Sequence, residues 1–393
     1  MRRSATGAGL MVSVLLTVGL SAAGPALGAI GPASAGTMHA SARGALATVA
    51  SPTQPAAARP IRASFSAVSC KGTSWCLAVG SYTDRSHVKH ALAQVWNGQK
   101  WRTLKNPPGR SLTDVSCSAA WFCMAAGGPT GMETWNGRVW RGIKGPAGRV
   151  GGVSCGSRSL CMVINGRVNG GVAESWNGRK WRTWTQNTDA CGGPPGFPCG
   201  LADVSCGSAS NCVAVGTRTV SQEPVQNTIG FVWDGIGWGG TSPPNDGNPA
   251  ALNAISCAGT FCMTVGGAFS EVQDGGIAVA GAWNARTQSW QDVSPSLGTL
   301  CSGFGYCFWT GVISCGSATN CMTFGRSNLA WNGTAWVPAP SVSAGRGSSL
   351  GTVSCAGSSC MAVGFRTVAG AVRPLAELWN GTTWKILRTP VPG

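Results

Sequence analysis

Seven times along the chain the same phrase returns: Val or Ile, then Ser-Cys, a short gap, a second Cys, an apolar run, and two Trp residues bracketing a polar turn. The Ser-Cys pairs end at Cys70, Cys117, Cys155, Cys206, Cys257, Cys315 and Cys355, roughly 40 to 60 residues apart. A tandem array has to be read before any local element, because no unit can bury its apolar face alone and each must stack on its neighbours. Helical arrays are disfavoured. Gly supplies 59 of the 393 residues and charged residues only 11%, and the apolar runs are short and rich in Val, Trp and Thr. Those compositions suit strands and turns.

The last unit shows the internal order. GTVSC reads as a first strand, Ala356 to Ser359 as a turn, and the run from Cys360 as a second strand closed at Gly364. A variable loop follows, then an alternating third strand from Leu375 to Trp379, and a fourth strand stopped by Pro390. Asn380-Gly381 predicts a type I′ hairpin, in which both central residues take positive φ. Four antiparallel strands joined by tight turns form one blade. Seven such units predict an all-β, seven-bladed β-propeller over residues 61–393. The Trp phrase runs from Trp96, Trp135, Trp176, Trp233, Trp283, Trp331 and Trp379, and it uses fourteen of the 18 Trp residues. A large ring at a fixed place in every blade predicts wedges between blades rather than a sugar platform. Trp75, Trp121, Trp184 and Trp309 break the repeat, and with Tyr306 they are the candidate ligand-binding residues.

The 18 cysteines exceed what a reduced compartment tolerates, and the number is even. Seven pairs flank the first turn of each unit: Cys70–Cys76, Cys117–Cys123, Cys155–Cys161, Cys206–Cys212, Cys257–Cys262, Cys315–Cys321 and Cys355–Cys360. Each is expected to staple strand one to strand two of its own blade. Two more pairs, Cys191–Cys199 and Cys301–Cys307, are read as braces within insertions that precede a Ser-Cys unit. A metal reading fails because the pairs are spread over separate blades, and a redox reading lacks the tight CxxC spacing.

The N-terminus agrees with an oxidising destination. Arg2 and Arg3 precede an apolar stretch from Gly9 to Leu20 and then small residues, the pattern of a secretory signal peptide within residues 1–35. Cleavage sites after Ala23, Gly28 or Ala35 all fit. Retained, the segment would be the chain's one contact with a membrane. Residues 36–60, rich in Ala, Pro, Ser and Thr, read as a disordered tether. The expected location is secreted, extracellular or wall-associated.

The third-strand and fourth-strand phrase resembles the kelch repeat, clearest where Val265-Gly266-Gly267 precedes the turn from Trp283 to Trp290. The whole phrase is similar to repeats in proteins secreted by high-GC Gram-positive bacteria. The resemblance implies a seven-bladed ring whose first strands line the channel, and no particular activity. Some kelch-like propellers resemble galactose oxidase, with copper held by Tyr and His. This chain has only Tyr82 and Tyr306, and His39, His87 and His90, so those ligands have no matching positions. No cofactor and no metal are expected.

Thirteen carboxylates are scattered along the chain. Glu133, Glu174 and Glu377 share one repeat position, with Gln94 at that place in the first unit, and Asp114 and Asp203 share another. They read as recurring blade hydrogen bonds, and nothing in the sequence selects a catalytic pair of the kind glycoside hydrolysis requires. The net charge of +16 comes from Lys and Arg scattered over turns, such as Arg138, Arg179 and Lys180. Outside a cell such a surface favours anionic wall polymers, glycans or a partner protein over nucleic acid. The expectation is a monomeric binding module without catalytic residues. The alternative is a carbohydrate-active or oxidase-type enzyme with its site at the channel mouth.

Overall fold

The computed structural model describes residues 62–105, 109–127, 131–146, 150–165, 172–185, 199–219, 226–245, 250–270, 275–295, 311–324, 328–340 and 345–392. They form seven antiparallel sheets of four strands each, every sheet built from consecutive strands. Blade 1 holds β1 (Arg62–Cys70), β2 (Cys76–Thr83), β3 (Lys89–Trp96) and β4 (Trp101–Thr103). Blade 2 holds β5 (Asp114–Ala119), β6 (Phe122–Gly127), β7 (Gly131–Trp135) and β8 (Trp140–Lys144). Blade 3 holds β9 (Val150–Ser157), β10 (Leu160–Asn165), β11 (Val172–Trp176) and β12 (Trp181–Thr185). Blade 4 holds β13 (Cys199–Ser208), β14 (Asn211–Thr219), β15 (Gln226–Trp233) and β16 (Trp238–Thr241). Blade 5 holds β17 (Ala250–Ala258), β18 (Phe261–Ser270), β19 (Gly275–Asn284) and β20 (Ser289–Asp292). Blade 6 holds β21 (Val312–Ser317), β22 (Asn320–Phe324), β23 (Leu329–Trp331) and β24 (Trp336–Pro338). Blade 7 holds β25 (Ser348–Ala356), β26 (Ser359–Val368), β27 (Ala371–Trp379) and β28 (Trp384–Leu387). The signal segment and tether expected over 1–35 and 36–60 lie outside the described residues, as do Trp309, Tyr306, Cys191 and the Cys301–Cys307 pair.

The seven cysteine pairs flanking the first turns form disulfides, and the two residues of each stand directly opposite one another in the sheet register, with Cα atoms 3.9 to 4.0 Å apart. This is the close, non-hydrogen-bonded kind of antiparallel pair, in which N–H and C=O groups turn away from the partner strand. The inner cysteine therefore points its N–H toward the neighbouring blade, and a serine hydroxyl of that blade accepts it. Cys117 donates to Ser69 Oγ at 3.0 Å, Cys155 to Ser116 at 2.9 Å, Cys206 to Ser154 at 2.9 Å and Cys257 to Ser205 at 2.9 Å. Cys315 donates to Ser256 at 2.9 Å and Cys355 to Ser314 at 2.8 Å. The circuit closes where Cys70 of blade 1 donates to Ser354 of blade 7 at 2.9 Å. Both residues of the Ser-Cys phrase are thereby explained.

The Trp pairs are the wedges. The two rings of each turn tilt against each other across strands three and four, as in Trp135–Trp140 with centroids 5.4 Å apart. They pack on the preceding blade: Trp135 on Leu77, Val79 and Ala93 of blade 1, and Trp379 on Met322 and Phe324 of blade 6. Several second-position indoles also donate backwards, Trp181 to the Lys144 carbonyl and Trp336 to the Val293 carbonyl, both at 3.0 Å. Closure follows the same pattern. Phe65, Trp96 and Trp101 pack against Met361, Val363 and Leu387, and Gln94 Nε2 donates to the Pro390 carbonyl at 2.8 Å. Among the described residues no strand is exchanged between the first and last blades.

Two local expectations are corrected. The Trp turns are not two-residue type I′ hairpins. Trp379 pairs with Trp384, which leaves four residues between them, and only Gly381 takes positive φ, at 103°. The Asn380 carboxamide oxygen accepts the Thr382 and Thr383 N–H groups at 2.9 and 2.8 Å, so the side chain, not a second left-handed residue, closes the turn. Likewise Gly364 does not end the second strand. β26 runs on to Val368 and turns at Ala369-Gly370 into β27, where a loop was expected. Gly364 faces a bulge of β25 between Leu350 and Thr352, and a Cβ there would collide with the Ser349 carbonyl. Gly266 does the same against Ala251 in blade 5, so Gly266-Gly267 lies inside β18 rather than closing it.

A small-loop disulfide contributes about 2 kcal/mol on the loop-entropy model, so full reduction should lower the melting temperature sharply. An unchanged melting temperature with all thiols free would remove the stapling role. Replacing Ser205 by Ala should cost about 1 kcal/mol in a denaturant titration, because it orphans the Cys257 N–H.

Candidate functional site

The ring has two unlike faces. The disulfide turns and the Trp turns share one of them: a Cβ on Gly98, Gly137 or Gly235 of the Trp turns would lie 3.1 to 3.3 Å from Ser74, Trp121 or Ser210 of the first turns. On this stapled face, blades 1 to 3 expose Lys71, Lys100, Arg138, Arg158, Arg179 and Lys180, and none of those turns carries an Asp or Glu. Asp234 in the Trp turn of blade 4 is the first acid met around the face, its pKa lowered by hydrogen bonds from the Gly237 and Ile236 N–H groups. Trp121 stands in this basic sector, 55% exposed, with the Arg158 guanidinium of blade 3 at 5.9 Å from its ring centroid.

The other expected ligand residues are held differently. Trp75 is half-buried against the core shared by blades 1 and 2, and its carbonyl accepts the Lys71 N–H at 2.9 Å. Trp184 lies on β12, edge-on to Trp233 at 5.0 Å, under the Arg182 guanidinium at 3.8 Å, with Nε1 donating to Ser175 Oγ at 2.8 Å. The structure thus brings Trp121 to the surface and fixes Trp75 and Trp184 within packing. The signal missed in the sequence is Arg158, which adjoins Trp121 only because blades 2 and 3 are neighbours.

The first strands of all seven blades line the central channel, a cavity of about 520 Å³. Asp114 and Asp203 face it from blades 2 and 4. Asp114 accepts the Val115 and Val153 N–H groups at 2.8 and 2.7 Å, and Asp203 accepts those of Val204 and Ile255 at 2.8 and 2.9 Å. Each carboxylate therefore ties its own blade to the next. An oxygen of each lies 3.7 Å from where a Cβ on Gly152 would stand, so twice that distance bounds their separation. Burial pushes the Asp203 carboxyl up to about 7, opposed by its two N–H donors and reinforced by the Asp114 charge; burial raises Asp114 as well.

On the opposite, loop face, His90 Nε2 meets Asp84 Oδ2 at 2.8 Å and its ring stacks on Tyr82 at 4.9 Å. That contact lowers the Asp84 pKa. Among the described residues no three His, Cys, Asp or Glu side chains converge as metal ligands.

No family model matches the chain, and no curated protein matches it. Its sheet order and seven-fold array define the class of a seven-bladed β-propeller, and one solved β-propeller agrees on the fold. The chain is similar to the β-propeller domain of the Trilobed protease from Pyrococcus furiosus, described as having an open velcro topology, at 8% identity and a TM-score of 0.54, covering 84% of this chain and 96% of that one. It is also similar to YCF48 from Cyanidioschyzon merolae at 14% identity and a TM-score of 0.49, over 80% of this chain and 95% of that one. A third similarity is to the GH74 xyloglucanase from Xanthomonas campestris at 12% identity and a TM-score of 0.49, covering 82% of this chain and 59% of that one.

The channel carboxylates give a pH dependence with a definite sign. Asp203 rises from 3.8 to about 7 on folding, so between those values the folded ring holds a proton that the unfolded chain has released. Its contribution is fully present below the lower value and is lost as pH rises through the upper one. Melting temperature should therefore fall as pH is raised across that window, and Asp203→Asn should flatten the slope, whatever it does to the absolute value. An unaltered slope in the variant would remove Asp203 as the source.

Proposed function

We propose that the protein is an exported, monomeric binding module whose stapled face, over blades 1 to 3, holds an anionic glycan or cell-wall polymer. The observation that carries this reading is the exposed Trp121 indole beside Arg158 within a sector whose turns are basic and free of acids. An exposed indole offers a flat apolar face for a sugar ring, and cations on neighbouring turns offer spaced partners for phosphate or carboxylate groups along a polymer. A rigid ring stapled seven times presents these groups with little to reorganise on binding.

Export is supported by the cysteine chemistry. Seven disulfides and no free thiol among the described residues suit an oxidising compartment. No helix among the described residues is long and apolar enough to cross a membrane. Kelch-like kinship, suggested by the Trp turns, belongs to the same proposal. The enzyme alternative finds its one supporting feature in Asp114 and Asp203, which share the channel, but all four of their oxygens already accept backbone N–H groups.

The test is co-sedimentation and calorimetry of the oxidised ring with purified teichoic-acid-bearing wall and with the same wall stripped of its anionic polymer. Binding should require the polymer and weaken steeply as salt rises. Trp121→Ala and Arg158→Glu should each weaken it about fivefold or more, with the fold intact by near-ultraviolet dichroism. Equal binding to stripped wall, or full binding by the double variant, would overturn the proposal.

A further inference from the structure

Blade 6 is shorter than its neighbour. β22 and β23 have 5 and 3 residues, against 10 and 9 in β26 and β27 of blade 7. The outer part of blade 7 toward the loop face therefore has less sheet to pack on, and a cavity of about 390 Å³ opens on the seam between the two blades. Phe324 and Trp384 stand in its wall edge to face, 5.5 Å apart, with Leu375 of β27 and with Ser348, Ser349 and Gly351 from the start of β25.

Register fixes what borders this seam on the loop side. Leu375, in the cavity wall, pairs with Gly364. Two residues outward, on the same face of the sheet, Arg373 pairs with Arg366, and Arg366 pairs in turn with Ser348 of β25. The equivalent row is Tyr82 with His90 in blade 1 and Ala268 with Ile277 in blade 5. Tyr82, Ala268 and Ile277 are buried in the cores they share with a longer preceding blade. Blade 7 instead carries two cations, directly opposite one another, where the preceding blade has stopped. Like charges in opposed positions destabilise a sheet unless something neutralises them. The chain has no Asp or Glu between Asp292 and Glu377, and Glu377, two rows deeper, is fully buried. Among the described residues neither guanidinium has an ion pair or a hydrogen bond, and Arg366 Nε is shut from solvent without an acceptor.

We propose that this seam binds a phosphorylated monosaccharide, its phosphate held by Arg366 and Arg373 and its ring seated in the cavity. Two guanidinium groups without a counter-charge call for a dianion, and their planar forks match phosphate oxygens. The cavity volume suits a single small organic molecule. Phe324 and Trp384 give apolar cover to a sugar ring. The Ser348 hydroxyl donates to the Gly345 carbonyl at 2.6 Å and so is left to accept from a sugar hydroxyl. The site lies toward the loop face of blade 7, separate from the basic sector of blades 1 to 3, so its failure would leave the polymer reading untouched.

Glucose 6-phosphate is the probe, with glucose as the same ring without its anion and inorganic phosphate as the anion without its ring, each titrated into the oxidised protein by calorimetry. Glucose 6-phosphate should bind saturably, glucose should not, and inorganic phosphate should bind more weakly. Arg366→Gln and Arg373→Gln should each weaken the sugar phosphate at least about tenfold, as loss of a charge-assisted pair requires. Gly351→Leu tests the cavity without touching the arginines; a Cβ at that position meets nothing within 4 Å, so the fold tolerates it while the side chain takes up ligand space. Arg286→Gln removes the same charge from an exposed Trp turn of blade 5 and should leave the affinity unchanged. Loss of binding in the two arginine variants and in Gly351→Leu supports the site. No binding of glucose 6-phosphate by the unaltered protein, equal binding of glucose or of inorganic phosphate, undiminished binding by any of those three variants, or an equal loss in Arg286→Gln overturns it.

Discussion

One hydrogen bond, repeated seven times, organises this molecule: the N–H of each inner cysteine given to the serine hydroxyl of the blade before it. An inner strand is a sheet edge, and an edge carries backbone donors that no ladder satisfies. The ring solves this with a side chain. The close pairing that lets two sulfurs join also turns the cysteine N–H outward. Stapling within a blade and docking between blades are thus one geometric event. Ser354 meets Cys70 as every other serine meets its cysteine, so the last blade joins the first by the same bond that joins every other pair.

Identical units build a scaffold, and departures from identity build sites. Trp121 is exposed because it replaces small residues in a first turn, and Arg158 reaches it because the next blade carries a cation at the facing turn. The seam cavity exists because blade 6 stops short of blade 7. In both places the wedge of paired indoles is retained, so the ring absorbs the change without losing its interblade core.

Charge is partitioned by the same architecture. The chain has 29 Lys and Arg against 13 Asp and Glu. Glu133, Glu174 and Glu377 are buried on third strands, and Asp114 and Asp203 face the channel. The outer surface is therefore more basic than the net charge alone conveys. Burial pushes Glu133 and Glu377 up to about 7, like Asp203, so near neutrality part of the acidic complement is uncharged as well.

Much of the fold was legible in the chain, because repetition is visible in one dimension. The Ser-Cys…Cys phrase determined seven sheets and their staples, and the Trp turn determined strands three and four, since each motif acts within a few residues of itself. The turn type was misread because Asn-Gly serves two turn geometries, and the pairing of Trp379 with Trp384 chooses between them. Gly364 was misread as a stop because its reason, a carbonyl on the bulged neighbouring strand, lies elsewhere in the sequence. What only the tertiary structure decided is what stands next to what around the ring: Trp121 beside Arg158, Asp114 and Asp203 about Gly152, Arg366 and Arg373 beside a cavity left by blade 6. A repeat specifies the shape of its own unit. The contents of a seam depend on two units at once and on the unequal lengths of their strands, which only closure of the ring brings together.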